Sequence, residues 1–98
     1  MTKEELKTVT LSLAMLFASF PQSAASDPDM QIRSYLDALK DFEAVDIHAA
    51  IERFRHGLAP SSNHQFCPSS AQLAIEVRER KLMRELLAKR GGLSLVKA

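Results

Sequence analysis

A single cysteine, no tryptophan, one tyrosine and three glycines in 98 residues remove several function classes at once. One cysteine leaves no internal disulfide, so the chain lacks a secreted-type framework and fits a reducing compartment; cytoplasmic is the expected location. With few aromatic rings there is little platform for stacking bases. The glycines, Gly57, Gly91 and Gly92, each stand where a helix would end. None belongs to a phosphate-cradling G-x-G-x-x-G or Walker pattern, and no G-x-S-x-G elbow is present. No long hydrophobic run exists either. The most apolar stretch, VTLSLAMLFASF, is interrupted by Thr10, Ser12 and Ser19 and is too short to span a bilayer. A signal peptide is disfavoured by Glu4 and Glu5, acidic where such a segment carries basic charge.

What is present is helical periodicity. Hydrophobic residues make up 46% and charged residues 26%, as in an ordinary soluble domain, and the length allows one small core. The pattern predicts an all-α fold of four helices. Leu6, Val9, Leu13, Leu16, Phe17 and Phe20 line one face of a helix over 3–20, opened by a Thr2/Glu5 capping box and closed by Pro21. Asp27-Pro28-Asp29 starts a second helix carrying Ile32, Tyr35, Leu36, Leu39 and Phe42, with Arg33 and Asp37 as a solvated pair. A third begins between Phe42 and Asp46 and places Ile47, Ala50, Ile51, Phe54 and Leu58 on one stripe before Gly57 ends it. A loop follows, tied down by Phe66. The fourth helix runs over 70–90 and stops at Gly91-Gly92, leaving GLSLVKA as an unstructured tail.

Cys67 invites a catalytic reading, since a thiol near a helix N-terminus can be activated. A nucleophile also needs a positioned base, and His64 is the only nearby candidate. The segment FCPSSAQL is more simply a helix start, with Ser69 as cap, Gln72 completing S-x-x-Q, and Pro68 packing on Leu73. His48, His56, His64 and Cys67 do not show the repeated short spacing of a zinc site. No catalytic residue, metal or cofactor is expected.

The charge is unevenly divided. Residues 1–77 hold six Lys or Arg against ten Asp or Glu, net −4, and residues 78–98 hold seven against two, net +5. The first span reads as a helical body and the second as a basic amphipathic helix end. On the last helix, Leu73 and Val77 share a face with Arg80 and Arg84, and a second face gathers Ile75, Leu82, Met83 and Leu86. The expected partner-binding residues are Arg78, Arg80, Lys81, Leu82, Arg84, Leu86, Lys89 and Arg90. Such a helix, projecting from the body, suits a protein groove, a second copy in a homodimer, or nucleic acid. Glu79, Glu85 and the acidic body make nucleic-acid binding weak or indirect. Alternatively, Leu82, Met83, Leu86 and Leu87 pack back on the first helix. A membrane surface is poorly served by so short an apolar face.

The order of Phe20-Pro21, Tyr35-Leu36-Asp37-Ala38-Leu39, Ala44-Val45, Ala49-Ala50-Ile51-Glu52-Arg53-Phe54 and Phe66-Cys67-Pro68-Ser69-Ser70-Ala71-Gln72-Leu73 resembles the helical N-terminal domain of phage replicative-helicase loader/inhibitor proteins. The resemblance covers roughly residues 10–77. It implies a non-catalytic regulator whose C-terminal segment, here 78–98, engages a hexameric replicative helicase. It departs from the family in having Cys67 where a second proline is expected, and in a short, largely helical C-terminal segment rather than a long flexible tail. The competing reading is a small basic-tailed accessory protein that binds nucleic acid or itself.

Overall fold

The computed structural model describes residues 1–20, 27–59 and 67–97, with Pro28 and the last seven as backbone only. Four helices follow one another: α1 (Lys3–Ala18), α2 (Pro28–Leu39), α3 (Ala44–Arg55) and α4 (Ser70–Lys97). No strand occurs among the described residues. The fold is all-α.

Local chemistry sets most of the helix ends. Thr2 accepts from the Glu5 amide at 3.1 Å while Glu5 accepts from the Thr2 amide at 3.0 Å, the reciprocal capping box. Those hydrogen bonds, from backbone and then side chain of Thr2, hold the Glu5 carboxyl below its ordinary value. Asp27 caps α2 through the amides of Asp29 and Met30, with Pro28 in the first turn. At α4, the Ser69 amide donates to Gln72 Oε1 at 2.9 Å and the Gln72 amide to Ser69 Oγ at 3.1 Å, a second capping box. α1 ends two residues before the expected Phe20, with Ser19 as its C-cap.

The end of α3 carries a long-range consequence. Gly57 has φ 70, the left-handed region where glycine has no Cβ to clash. Its amide donates to the Phe54 carbonyl, and the next amide, Leu58, donates to the Arg53 carbonyl at 2.8 Å. This is a Schellman stop. Because the chain reverses there, Leu58 leaves the helical stripe on which the sequence placed it and stands 63% exposed.

α3 is the centre of the packing, flanked by α1 on one side and α4 on the other, while α2 bridges α1 and α4. The core holds Val9, Leu13 and Leu16 from α1, Leu39 from α2, Ile47, Ala50 and Ile51 from α3, and Leu73 and Val77 from α4, all at 0% exposure. Leu6, expected on the inner face of α1, is more than a third exposed because it lies a turn before the body begins. Phe17 meets Tyr35 edge-on, with centroids 5.0 Å apart and planes at 76°. Arg33 makes no ion pair with Asp37, which instead lies 3.6 Å from Lys40. Pro21, His64 and Phe66 lie outside the described residues.

The sequence-based stop at Gly91-Gly92 is corrected by α4, which continues to Lys97. Glycine costs only about 1 kcal/mol per helical position relative to alanine. A glycine stop also requires positive φ, and among the described residues only Gly57 has it. At 28 residues α4 is about 42 Å long by its rise of about 1.5 Å per residue. The principal extents of 57 × 32 × 17 Å and a radius of gyration of 15.1 Å make the molecule elongated, against about 13 Å for an equidimensional domain of this size.

Candidate partner-binding helix

α4 has two sides with different chemistry. Advancing about 100° per residue places Leu73, Val77, Arg80 and Arg84 on one side and Ile75, Leu82 and Leu86 on the opposite side. The inner side begins as core and continues as salt links to the body. Glu76, only 4% exposed, accepts from Arg53 Nε at 2.7 Å, and Arg80 Nε lies 3.1 Å from the same carboxylate oxygen. That second contact is charge attraction without hydrogen-bond alignment, since the Arg80 Nε–H is buried with no acceptor in line. Arg53 also donates to the Leu58 carbonyl at 2.9 Å, so one guanidinium ties the α3 stop to α4.

A turn further along, Arg84 closes on the N-terminus of α3. It donates from Nε to Asp46 Oδ1 at 2.9 Å and from Nη2 to Asp46 Oδ2 at 3.0 Å, a bidentate fork, and Glu43 Oε2 lies 3.2 Å away. Asp46 is 2% exposed, in the first turn of α3, where the helix dipole also favours an anion. The hydrogen bonds to Asp46 hold the Arg84 guanidinium above its ordinary pKa. Arg78 lies over the Phe42 ring, 5.8 Å from its centroid.

The structure therefore separates the eight residues singled out from sequence. Arg80 and Arg84 turn to the body and pair with its carboxylates, while Arg78 is exposed over the Phe42 ring. Lys81, Lys89 and Arg90 are exposed, as are Leu82 (54%) and Leu86 (50%). Ile75 and Met83, which the sequence placed on the same face, are exposed beside them, and Leu87 is exposed on the inner side of the helix past its last link to the body. Packing of these leucines onto α1 does not occur. Leu82 and Leu86 run along a helix fixed to the body by its opposite side.

Three features escaped sequence reading. Asp46 and Glu76 resemble ordinary helix acids until their burial is known, and the cations that reach them from other helices, Arg84 and Arg53, stand 38 and 23 residues away, with only Arg80 a local partner of Glu76. The third is a polar seam between α1 and α3, where His48 Nδ1 lies 2.7 Å from Ser12 Oγ and His48 Nε2 lies 3.3 Å from Thr8 Oγ1. Both ring nitrogens face hydroxyls, with no carboxylate orienting the ring, so this is a tie between helices rather than a relay.

Cys67 packs against the core beside Tyr35, whose hydroxyl donates to the Pro68 carbonyl. Burial pushes the Cys67 thiol up, only partly offset by the adjacent Tyr35 hydroxyl. That is the reverse of an activated nucleophile. Burial, with the neighbouring Cys67 charge, likewise pushes Tyr35 well above its ordinary value. No group of three or more His, Cys, Asp or Glu gathers in metal-binding proximity among the described residues. No described helix is long and apolar enough to cross a membrane.

No protein-family model, curated protein or solved structure matches the chain.

Proposed function

We propose that the chain is a small, non-catalytic protein-binding regulator whose docking surface is the outer face of α4. The observation that carries this reading is the run of exposed Leu82, Met83 and Leu86 along a helix held to the body through its opposite side. An amphipathic helix of this kind presents anchors one turn apart, here Leu82 and Leu86 at i and i+4 with Met83 at their edge, to an apolar groove. The body's role is to orient it: Arg84 on Asp46 and Arg53 on Glu76 fix which side faces outward. The binding residues are then Lys81, Leu82, Leu86, Lys89 and Arg90, joined by Ile75 and Met83.

Nucleic-acid binding is the weaker reading. Three of the basic residues on this helix are committed to Phe42, Glu76, Asp46 and Glu43, and Glu79 and Glu85 stand among those that remain. Electrostatic binding to phosphates scales with the number neutralised, and few free cations are left. The resemblance to phage helicase loader/inhibitor proteins suggests the kind of partner, a hexameric replicative helicase in the cytoplasm, with the chain as loader or inhibitor.

Pulldown from bacterial lysate and direct binding to purified replicative helicase test this, comparing the intact chain with Leu82→Asp/Leu86→Asp. Association with protein is expected to vanish in the double variant while circular dichroism keeps its helical signal. Retained binding by a folded double variant would remove α4 as the docking surface. DNA affinity that exceeds protein affinity and collapses with added salt would favour the nucleic-acid reading.

A further inference from the structure

We propose that the outer face of α4 pairs with a second copy of itself, antiparallel, about a two-fold axis at the level of Arg84; this deepens the docking reading and rests on it. The charge order along the face is self-complementary. In helical register, Ile75, Glu79, Leu82, Leu86 and Lys89 form one seam at alternating steps of four and three residues, the spacing of a two-helix interface. Inverting this seam about position 84 sets Leu82 level with the partner's Leu86 and Glu79 level with the partner's Lys89. Arg90, one step beyond Lys89, flanks the same carboxylate.

None of Glu79, Lys89 and Arg90 forms an ion pair with another described residue, and all three are exposed. Their neutralisation is left to a partner. Parallel pairing would instead set Glu79 against Glu79 and Lys89 against Lys89, like charges that disfavour association. The body is bound through the other side of α4. Arg84, Arg80 and Val77 hold it on the far side of α4, so the two bodies lie outside the helix pair and at opposite ends. A two-fold contact of this kind closes on itself and does not grow into filaments.

Sedimentation and native mass spectrometry of the full chain, from about 1 to about 300 μM, read the outcome. The intact chain is expected to double its mass as concentration rises, and Leu82→Asp/Leu86→Asp to stay monomeric with its helical signal intact. The register is tested by charge. Glu79→Lys places three cations together across the seam, and Lys89→Glu/Arg90→Glu places three anions. Each variant alone should stay monomeric where the intact chain is dimeric, yet an equal mixture of the two should form a one-to-one heterodimer. Dimers of either charge variant as strong as the original, or a mixture that fails to associate, would overturn the antiparallel register. An intact chain that is monomeric throughout would overturn the dimer. In that case, loss of foreign-protein binding by Leu82→Asp/Leu86→Asp leaves the docking reading standing, whereas binding unchanged by those substitutions removes both.

Discussion

The two halves of α4 are built from the same residue types and behave in opposite ways. In the first half, Leu73 and Val77 are fully buried and Glu76 sits beneath two arginines. In the second, Leu82, Leu86 and Leu87 are half or more exposed and the last described link to the body is Arg84. The difference lies in which side of the helix the apolar residues occupy. In the first half Leu73 and Val77 lie toward α3, and Ile75 faces outward. After Val77 the inner side turns to arginine, Leu82 and Leu86 lie outward, and Leu87 returns to the inner side past the last link to the body. A helix that continues past its core can thus be held by salt links and present its apolar residues to something else.

The sharpest break between the halves is expected in stability. Leu73→Ala removes a fully buried side chain from the contact with the body and should cost about 2–5 kcal/mol, a large part of the roughly 5–15 kcal/mol available to a domain of this kind. Urea unfolding followed by circular dichroism reads it as a lower midpoint. A shift under about 0.5 kcal/mol would mean that the first half of α4 is no more embedded than the second.

Next in size is Glu76→Ala. It strips the shared anion from Arg53 and Arg80, of which Arg53 also holds the α3 stop. The loss should be about 2–3 kcal/mol, below the 3–5 kcal/mol of a fully buried broken pair because both guanidiniums retain access to water. A cost near zero would show that burial of Leu73 and Val77 alone fixes this half of the helix.

How much of this was legible in the sequence follows from the range of each interaction. Thr2 with Glu5, Asp27 with Asp29, and Ser69 with Gln72 are separated by two or three residues, so the cap chemistry and the helix starts could be read directly. The core followed from helical spacing, except for Leu6, which lies a turn before the body begins, and Leu58, which the Gly57 reversal carried out of line. Arg84 with Asp46, 38 residues apart, and Ser12 with His48, 36 apart, depend on how α3 packs against two neighbours. No local pattern encodes that pairing, so arginines bound to the body read as free basic charge. Gly91-Gly92 misled for the opposite reason. Glycine lowers helix propensity, but without a positive φ it does not end a helix.

A smaller effect joins the start of α4 to α2. Tyr35→Phe removes the hydrogen bond to the Pro68 carbonyl and should cost about 1 kcal/mol near neutral pH. Tyr35 and Cys67 both have raised folded-state values, from 10.0 and 9.0 respectively. The unfolded chain therefore releases these protons first, and stability is full below pH 9 and declines as pH rises beyond it. Removing the Tyr35 hydroxyl should flatten that decline. At the acid end, Glu5 and Glu52 are held below 4.5, Glu5 by Thr2 and Glu52 by Arg55, so stability falls as pH drops through and below that value. Thermal melts of the intact chain and Tyr35→Phe from pH 3 to 11 test both limbs; an alkaline decline unchanged by the substitution would assign it elsewhere.

The smallest effect is expected from the residues that look most hydrophobic. Leu82→Gln with Leu86→Gln replaces two half-exposed leucines by a residue of similar helix propensity. At concentrations below about 1 μM, where association makes no contribution, the melting midpoint should move by less than about 0.5 kcal/mol equivalent. Glutamine keeps the helix and most of the side-chain reach, so any large loss reports burial and not propensity. A melt lowered as far as in Leu73→Ala would mean that the outer face of α4 is core to the monomer, and the two halves of the helix would no longer differ. A melt unchanged at low concentration but lowered at high concentration would place those leucines in an interface.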